Sequence, residues 1–370
     1  MSDADSERLL STNAKVSVSS LLDPSRKREP PEGFQCGEFL DHSDSTTNVM
    51  FFCTIPVRSE SFGTEHSCRL TFCCRDRSVG VLEQKEEKLT TEDIEENQEE
   101  EVNVDPNFFD SGYTLAGRTG FQVWAGTRIL LEALLYSSPG DCSRLETIQK
   151  ELWSSNKKIL ELGAGVGVVS TSLAAALSAQ ILSTDLPTLV EHSIVPNLRR
   201  NENQTRKSAL RNVDRKVETM ILPEWLCSAS RNQLFEEEDF GDEPPVFPIG
   251  DAGGWVSIAS VDWTKPLSER VASIANEVDW IIASDCVWLV SMLDSLLDTV
   301  DRIFQKNTQA RLILSFQRRD AADSSRFTRI DSIVDAARAR GWGVECLAWR
   351  YTHVDGDTET KEVMVVEIWP

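Results

Sequence analysis

Three glycines at alternate positions form the stretch of this sequence best suited to chemistry. They are Gly163, Gly165 and Gly167, and the apolar run Ile159 to Leu162 precedes them, as in a buried parallel strand that ends in a sharp turn. Glycine has no Cβ and adopts positive φ, so backbone N–H groups and a ligand can approach each other closely there. Asp185 ends the next predicted strand, where a carboxylate can hold a ribose diol. The spacing therefore predicts a nucleoside site.

The spacing of the glycines excludes the dinucleotide fingerprint. That fingerprint, G-x-G-x-x-G, requires its third glycine at the position of Val168. The alternating glycines behind Glu161 instead resemble the first motif of the seven-stranded S-adenosylmethionine-dependent methyltransferases, whose ligand has no pyrophosphate. The alternative is a glycine-rich turn that binds no ligand. An acid at the end of the next strand is an independent requirement for a nucleoside site, and Asp185 meets it.

Composition limits the partners of the protein. The 370 residues carry 38 Lys and Arg against 60 Asp and Glu, a formal net charge of -22. This charge disfavours general binding to phosphate backbones, so we expect no nucleic-acid partner, whereas a basic partner is easier to accommodate. The 9 cysteines and 4 histidines are scattered, without paired C-x-x-C spacing. We therefore predict neither a disulfide framework nor a metal site.

The start of the chain and its apolar runs bear on the compartment. The first residues lack the basic and apolar regions of a signal peptide, and no apolar run reaches membrane-spanning length. We therefore expect no membrane association and a reducing intracellular compartment, the cytoplasm, the nucleus or both. The short basic run Arg26 to Arg28 is a weak indication of nuclear entry.

Composition divides the chain into four segments. Residues 1–33 are polar and rich in Ser, and we expect them to be disordered. Residues 34–82 alternate apolar runs with turn-like clusters, which predicts a small β element. Residues 83–110 are dominated by Glu and Asp and are predicted to form an acidic linker. Residues 111–370 form the predicted catalytic domain, with an insertion at about 204–253.

The predicted catalytic domain consists of strand–helix repeats that end in a hairpin. Strands are predicted at 159–162, 180–185, 256–261, 280–284, 310–316, 343–349 and 362–369, with a further short strand at 217–222 in the insertion. Helices are predicted at 127–136, 168–177, 187–200, 293–303 and 327–340. Because crossovers between parallel strands are right-handed, this order predicts a doubly wound, Rossmann-like α/β sheet of seven strands with a C-terminal antiparallel hairpin.

Three separated motifs resemble one family. They are Gln122-Val-Trp124-x-Gly126 before a helix, Leu160-Glu-Leu-Gly-Ala-Gly165, and the pair Asp262-Trp263 with Ser284-Asp285-Cys286-Val287-Trp288. In this order they resemble methyltransferase family 16, intracellular seven-stranded enzymes that mostly methylate lysine side chains of proteins. The layout, with its long acidic N-terminal portion, is most similar to the methyltransferase-like protein 22 branch. The resemblance covers residues 117–370.

The resemblance implies a protein-lysine N-methyltransferase that uses S-adenosyl-L-methionine, without a metal, on a protein substrate with a basic or lysine-bearing segment. We expect a monomer. The implied cofactor contacts are Trp124, the backbone of Gly163, Ala164 and Gly165, Asp185, Trp263 and Ser284. Among these, Asp185 accepts from the ribose hydroxyls, Trp263 packs on adenine and Trp124 closes the methionine end.

The implied acceptor end consists of Asp285 and Trp288. We expect Asp285 to orient the amine and to receive its charge on entry, and Trp288 to wall the slot. The family usually has Tyr or Phe at the position of Trp288, which leaves the acceptor in question. The alternatives are a methyltransferase acting on histidine or a small amine, and a catalytically weak interaction protein with the methyltransferase fold.

Overall fold

The computed structural model describes residues 27–28, 35–41, 48–58, 65–74, 119–137, 141–154, 156–202, 223–227, 245–250, 252–319, 327–353 and 360–370. In chain order the strands are β1 Lys27–Arg28, β2 Gln35–Asp41, β3 Asn48–Arg58, β4 Glu65–Cys74, β5 Lys158–Leu162, β6 Gln180–Asp185, β7 Val246–Ile249, β8 Gly254–Ser260, β9 Trp280–Ser284, β10 Arg311–Gln317, β11 Gly343–His353 and β12 Thr360–Trp369.

Eight helices connect or flank the described strands. They are α1 Ala125–Leu135, α2 Ser143–Trp153, α3 Val168–Ala176, α4, α5 Glu224–Cys227, α6 Glu269–Ala275, α7 Val290–Phe304 and α8 Ile330–Ala339. Helix α4 begins as Pro187–Leu189, widens into the π-helix Val190–Ile194 and continues as α-helix over 195–202. Pro187 at the first helical position needs no hydrogen-bond partner for its nitrogen, which is why the helix can begin directly after β6.

A nine-stranded sheet with the order β1-β11-β12-β10-β9-β5-β6-β8-β7 forms the centre of the protein. Strands β5, β6, β8, β9 and β10 are parallel, whereas β12 is antiparallel to both β10 and β11. The predicted doubly wound sheet with its C-terminal hairpin is confirmed. All seven predicted core strands are present, and β1 and β7 extend the sheet at its two edges.

The parallel strands are buried on both faces, and this explains their continuous apolar sequences. Along β9, Trp280 and Ile282 face one hydrophobic cluster, whereas Ile281 and Ala283 face the other. The chain runs outward from β5 through β6 to β8 and then returns to form β9 beside β5. The carboxyl ends of β5 and β9 therefore lie at the point where the strand order reverses, which is where open α/β sheets bind ligands.

The predicted N-terminal β element is a three-stranded antiparallel sheet with the order β2-β3-β4. Its buried residues Phe51, Ile55 and Phe72 belong to the same hydrophobic cluster as α1 and α3. The hydroxyl of Tyr136 donates to the carbonyl of Thr54 at 2.8 Å. This sheet therefore packs directly on the catalytic fold. The predicted segment boundaries stay predictions, and those at 33–34, 82–83 and 110–111 fall outside the described ranges.

Two asparagines of α4 attach the N-terminal sheet to the larger one. Asn197 accepts from the N–H of Cys73 at 2.8 Å and donates to its carbonyl at 3.2 Å. Asn201 forms the same pair of bonds with Thr71, at 3.1 and 3.0 Å. Asn197 also donates to the carbonyl of Val166, in the glycine loop, at 3.0 Å. The side-chain amides thus form hydrogen bonds with backbone groups at the edge of β4 and connect this strand to that loop.

Some elements differ from the sequence predictions. Helices α2, α5 and α6 and strand β7 were not predicted, and β7 shows that the predicted insertion contributes an edge strand to the sheet. Within the segment predicted to be disordered, Lys27–Arg28 pairs in parallel with Trp349 and Arg350. The strand predicted at 217–222 lies outside the described residues, as do the linker at 83–110 and most of the segment at 1–33.

Replacing Asn197 by Ala should lower the free energy of unfolding by about 2–3 kcal/mol, because buried backbone groups of Cys73 and Val166 lose their partners. Urea denaturation at neutral pH measures the change. The matched control is Gln305→Ala, an exposed amide, for which a change within about 0.5 kcal/mol is expected. An Asn197→Ala protein as stable as the wild type would contradict this attachment of the N-terminal sheet.

Candidate functional site

A pocket lies at the carboxyl ends of β5, β6, β8 and β9, beside the start of α1. Including its open mouth, it holds about 780 Å³ of space outside protein atoms. Every cofactor and acceptor residue predicted from the sequence lines this pocket. The fold therefore brings together residues that are separated by up to 164 positions in the chain, from Trp124 to Trp288. Their individual roles stay predictions.

The glycine loop is held against the end of β6 by its own N–H groups. Those of Gly163 and Ala164 both donate to the carbonyl of Thr184 at 3.0 Å. Gly165 donates to Oδ2 of Asp185 at 2.7 Å. Its φ is +58°, and a Cβ there would lie 2.9 Å from the carbonyl oxygen of Gly120, so a side chain would be both strained and crowded. A ligand in the pocket meets the surface of this loop, since those three N–H groups are already engaged.

Asp185 presents a nearly buried carboxylate to the pocket. Oδ1 accepts from the N–H of Leu186 and Oδ2 from that of Gly165, each at 2.7 Å. Burial raises the pKa of Asp185 to about 6, while these two N–H groups oppose the shift. An ionised carboxylate has about four acceptor positions, so two remain for hydroxyl donors. Asp185 is therefore suited to hold both hydroxyls of a ribose.

Glu161 supports the loop from below and does not line the pocket. It accepts from the N–H of Ser170 at 3.1 Å and from the Ser170 hydroxyl. Burial raises the pKa of Glu161 to about 7, and the neighbouring charge of Asp185 adds to the increase. Because Ser170 lies in the first turn of α3, these bonds fix the start of that helix relative to β5.

Trp263 forms the pocket wall next to the glycine loop. Its ring lies about 3.0 Å from the position that a Cβ on Gly163 would occupy, and 8% of the residue is exposed. Asp262 is not part of the pocket lining, and its carboxylate accepts from the N–H and the hydroxyl of Thr264 at 2.9 and 2.6 Å. The flat face of Trp263 is therefore the feature of this wall that suits an adenine ring.

At the other end of the pocket lie Trp124 and Ser284. Trp124 is the N-cap residue of α1, and its indole N–H donates to the carbonyl of Thr119 at 3.0 Å. The ring therefore acts as a wall, since its polar group is already engaged. The hydroxyl of Ser284 lies 2.7 Å from that of Thr127. Thr127 also lines the pocket and was not predicted.

Asp285 lies at the acceptor end with its side chain fully buried. Oδ2 accepts from the N–H of Gly126 at 3.3 Å, and Oδ1 accepts from the N–H of Gln317 at 3.1 Å and from Nη1 of Arg319 at 3.0 Å. Burial raises the pKa of Asp285, and Arg319 lowers it. All three partners are donors, which is the environment that an ionised carboxylate requires. The carboxylate thus has an internal counter-charge, which does not favour the predicted role of receiving the charge of the acceptor.

Close approach of the α1 backbone to the Asp285 side chain makes this arrangement possible. A Cβ on Gly126 would lie 2.5 Å from the Cβ of Asp285, so only glycine lets the first turn of α1 reach the carboxylate. Asp285 itself has a φ of +51°, a left-handed conformation that Asp and Asn tolerate better than most residues. The positive end of the α1 dipole also favours the negative charge there.

A second cavity, here named the side groove, opens beside the acceptor end. Its lining includes Trp124, Trp288, Arg319, Phe327, Tyr351 and Lys361, and it holds about 1230 Å³ outside protein atoms, including its open mouth. The ring centres of Trp288 and Phe327 lie 6.3 Å apart. Trp124 and Trp288 line both cavities. The two cavities therefore adjoin at these rings.

Sequence reasoning missed Arg319, although a signal for it exists. Arg319 lies just beyond β10, and residues beyond the carboxyl ends of parallel strands are the ones that reach a switch-point crevice. Its guanidinium carbon lies 5.3 Å from the centre of the Trp124 ring, within the range of a cation–π contact. Arg319 therefore joins the carboxylate of Asp285 to the wall formed by Trp124.

The described part of the chain also bears on two other classes of function, metal binding and membrane insertion. No group of three or more His, Cys, Asp or Glu side chains in those residues is arranged to hold a metal ion. None of the described helices combines the length and the apolar character needed to cross a membrane.

A model of the lysine methyltransferase family Methyltransf_16 matches residues 113–223 and 251–333, more than half of the chain. The chain belongs to this family. The resemblance found in the sequence motifs is thereby confirmed at the level of the family, whereas the methyltransferase-like protein 22 branch stays a prediction. Both Trp124 and the residues at the carboxyl end of β9 lie within the matched ranges.

Two curated relatives are similar to part of the chain. The protein-lysine methyltransferase METTL21E of Mus musculus is 25% identical over 167 residues, 45% of this chain and 49% of that protein. A putative methyltransferase-like protein 21E pseudogene of Homo sapiens is also 25% identical over 167 residues, 45% of this chain and 44% of its own length. The chain thus spans about half the length of the curated relatives it matches.

Solved structures show weaker similarity. The N-terminal domain of EvdMO1, determined with SAH and D-fucose, has a TM-score of 0.32 and 15% identity, covering 80% of this chain and 98% of its own. A SAM-dependent methyltransferase from Aquifex aeolicus has a TM-score of 0.29 and 12% identity, covering 60% and 88% respectively. At these scores neither structure bears on the site.

The pocket at the carboxyl ends of β5, β6, β8 and β9 should bind S-adenosylmethionine more weakly as the pH falls. Hydroxyl donors require the ionised carboxylate of Asp185, whose pKa is raised to about 6. At pH 5 only about one carboxylate in eleven is ionised, so the affinity should fall about tenfold between pH 7.5 and pH 5. Isothermal titration calorimetry at both values measures this change.

The control for this prediction is Asp185→Asn, which keeps the shape of the side chain and cannot ionise. It should bind S-adenosylmethionine more weakly at pH 7.5, and its affinity should lose most of its pH dependence. The small dependence that remains would come from the ionisation of Glu161, whose pKa is raised to about 7. Equal affinity for the wild type at both pH values would show that Asp185 does not accept from the ribose.

Proposed function

We propose that this protein is an S-adenosylmethionine-dependent protein-lysine N-methyltransferase. The observation that carries the proposal is the position of one pocket. The pocket combines a glycine loop and a carboxylate suited to a ribose at one end with an aromatic wall that adjoins an open groove at the other. Membership of a lysine methyltransferase family supports the same reaction class.

The residues around the pocket fit S-adenosylmethionine by the chemistry of their side chains. Asp185 would hold the ribose, and Trp263 would pack on the adenine. Trp124 and Ser284 would flank the methionine end, and Gly163 to Gly165 would allow close approach of the backbone. When bound, S-adenosylmethionine supplies an electrophilic methyl group.

Catalysis by this chain is mainly alignment and exclusion of water. Methyl transfer to an amine needs no covalent intermediate on the protein, and holding two reactants in line can contribute about 7–11 kcal/mol of the barrier. Trp124 and Trp288 lie where the pocket adjoins the side groove, and their rings can pack along the aliphatic part of a lysine side chain. They would define the slot through which the amine approaches.

The acceptor lysine must be neutral to react. Its reference pKa of about 10.4 lies roughly 3.4 units above pH 7, which corresponds to about 4.6 kcal/mol. Desolvation between aromatic rings favours the neutral form. Asp285 would oppose it if its charge faced the amine alone, but the carboxylate is matched by Arg319. We therefore assign to Asp285 the positioning of α1, β10 and Arg319 in place of direct capture of the ammonium.

Membership of a lysine methyltransferase family, together with a groove that opens beside the acceptor end, favours a polypeptide acceptor over a small amine. The net charge of -22 supports a basic or lysine-bearing segment in the substrate. Three expectations about the protein stay predictions: that it is a monomer, that it resides in the cytoplasm or the nucleus, and that it binds no nucleic acid.

Incubation with tritiated S-adenosylmethionine and a heat-treated cell lysate tests the reaction. We expect label in protein bands and, after acid hydrolysis, in methyl-lysine. Asp185→Asn serves as the matched control, because a weaker hold on the ribose should reduce the label without altering the acceptor side.

Three outcomes would contradict the proposal, and each points elsewhere. Label recovered as methyl-histidine, or in small molecules alone, would support the alternative acceptors. A protein that binds no S-adenosylmethionine by calorimetry would be an interaction protein that retains the fold. Label that persists unchanged in Asp185→Asn would come from a contaminating enzyme.

Replacement of Asp285 distinguishes positioning from direct capture of the amine. Asp285→Ala should lower the free energy of unfolding by about 3–5 kcal/mol, because it leaves Arg319 without its buried partner. Asp285→Asn keeps two acceptor positions and tolerates the positive φ, so its loss should be smaller. Urea denaturation measures both. An Asp285→Ala protein of wild-type stability that binds the cofactor and transfers no methyl group would restore the direct role.

A further inference from the structure

The two cavities adjoin at one wall. Three residues, Thr119, Trp124 and Trp288, line both the pocket and the side groove. An acceptor in the groove would therefore meet the reacting end of the pocket at the two tryptophan rings. A charge next to this wall acts on the acceptor amine at short range.

Arg319 lines the side groove next to this wall. Its side chain is 14% exposed, and Nη1 lies 3.0 Å from Oδ1 of Asp285. The same guanidinium lies 5.3 Å from the centre of the Trp124 ring. One side chain thus contacts both the buried carboxylate and the ring that separates the two cavities.

The pair of charges has a direct consequence for an amine in the slot. A carboxylate without a partner would stabilise an ammonium ion and so raise the pKa of the acceptor. A carboxylate paired with a guanidinium presents almost no net charge. Burial makes the difference larger, since charges interact more strongly in a medium of low dielectric constant.

We propose that Arg319 is a positioning residue for methyl transfer, which neutralises Asp285 and holds the Trp124 ring, so that the acceptor amine meets a wall without net charge. This inference rests on the proposed function. The ammonium releases one proton to bulk water through the open groove, and the nitrogen keeps the lone pair that it needs as a nucleophile. Asp285 takes up no proton in this step, because its two oxygens already accept from three donors.

Other charged or titratable groups surround the same region and stay constant in the test. They are Glu161 of β5, Asp185 of β6, Cys286 after β9, and Arg318, Tyr351, Lys361 and Glu362 in the side groove. Arg318 lies 3.2 Å from Glu362 and not at Asp285. Arg318→Gln is therefore a matched control, with the same change one residue away in the same groove.

The test uses the full chain with the protein substrate identified by lysate labelling. At saturating substrate, the pH dependence of kcat reports ionisation in the bound complex. For Arg319→Gln we expect the pH of half-maximal kcat to rise by about one unit, with about tenfold lower kcat at pH 7.5. Arg319→Lys, which keeps the charge, should retain the wild-type midpoint, as should Arg318→Gln.

A double variant separates charge from packing. In Asp285→Asn with Arg319→Gln both charges are absent, so the midpoint should return to the wild-type pH even if kcat stays low. The same variant serves if Arg319→Gln alone does not fold, since removing both members of a buried pair costs less than removing one. S-adenosylmethionine affinity is measured by calorimetry for every variant, and kcat is determined at a cofactor concentration that saturates that variant, so that a change in cofactor affinity does not alter the midpoint.

The results decide between three situations. A wild type that binds no cofactor or labels no lysine would refute the proposed function itself. A wild type that labels lysine, with an Arg319→Gln midpoint unchanged and kcat lowered equally at every pH, would leave that function intact and overturn this inference. A midpoint in the double variant that differs from the wild type would likewise overturn it.

Discussion

The buried carboxylate of Asp285 joins the elements that form the acceptor end of the pocket. It accepts from the first turn of α1, from the end of β10 and from Arg319. A buried charge is stable only with such partners, so none of these elements can move away without leaving a charge unmatched. The position of Trp124, which caps α1 and lies against Arg319, follows from the same set of bonds.

The opposite side of the pocket is braced from further away. Asn197 bonds both to β4 of the N-terminal sheet and to Val166 in the glycine loop. The edge of a strand normally offers a row of backbone groups to other chains, and here two asparagines occupy part of that row. The N-terminal sheet thus contributes to the rigidity of the loop while having part of its own edge covered.

Local sequence was sufficient for the core of the fold and for much of the site. Strands such as β5 and β9 are buried on both faces, and their continuous apolar runs are visible without any partner. The glycine loop and Asp185 could be predicted for the same reason, since glycines at a turn and an acid at the end of a strand can be recognised in the local sequence. Arg319 and Asn197 were not, because their roles depend on contacts with residues 34 and 124 positions away. Strand β7 was hidden because it is short and follows a long acidic stretch.

The contacts at the acceptor end also constrain how such a site can diverge. Gly126 fits against Asp285 and donates to it, and Arg319 forms an ion pair with the same carboxylate. A substitution at one of these positions therefore removes an interaction from another, so change at this end of the pocket requires paired substitutions. Trp288 is different, because it lies on the rim of both cavities and contacts Phe327. Its size can change while the cofactor side keeps its geometry. Under the proposed function, a change in this one ring would alter the slot for the acceptor, and Trp288 is the position at which the motif resemblance predicts a departure from the usual Tyr or Phe.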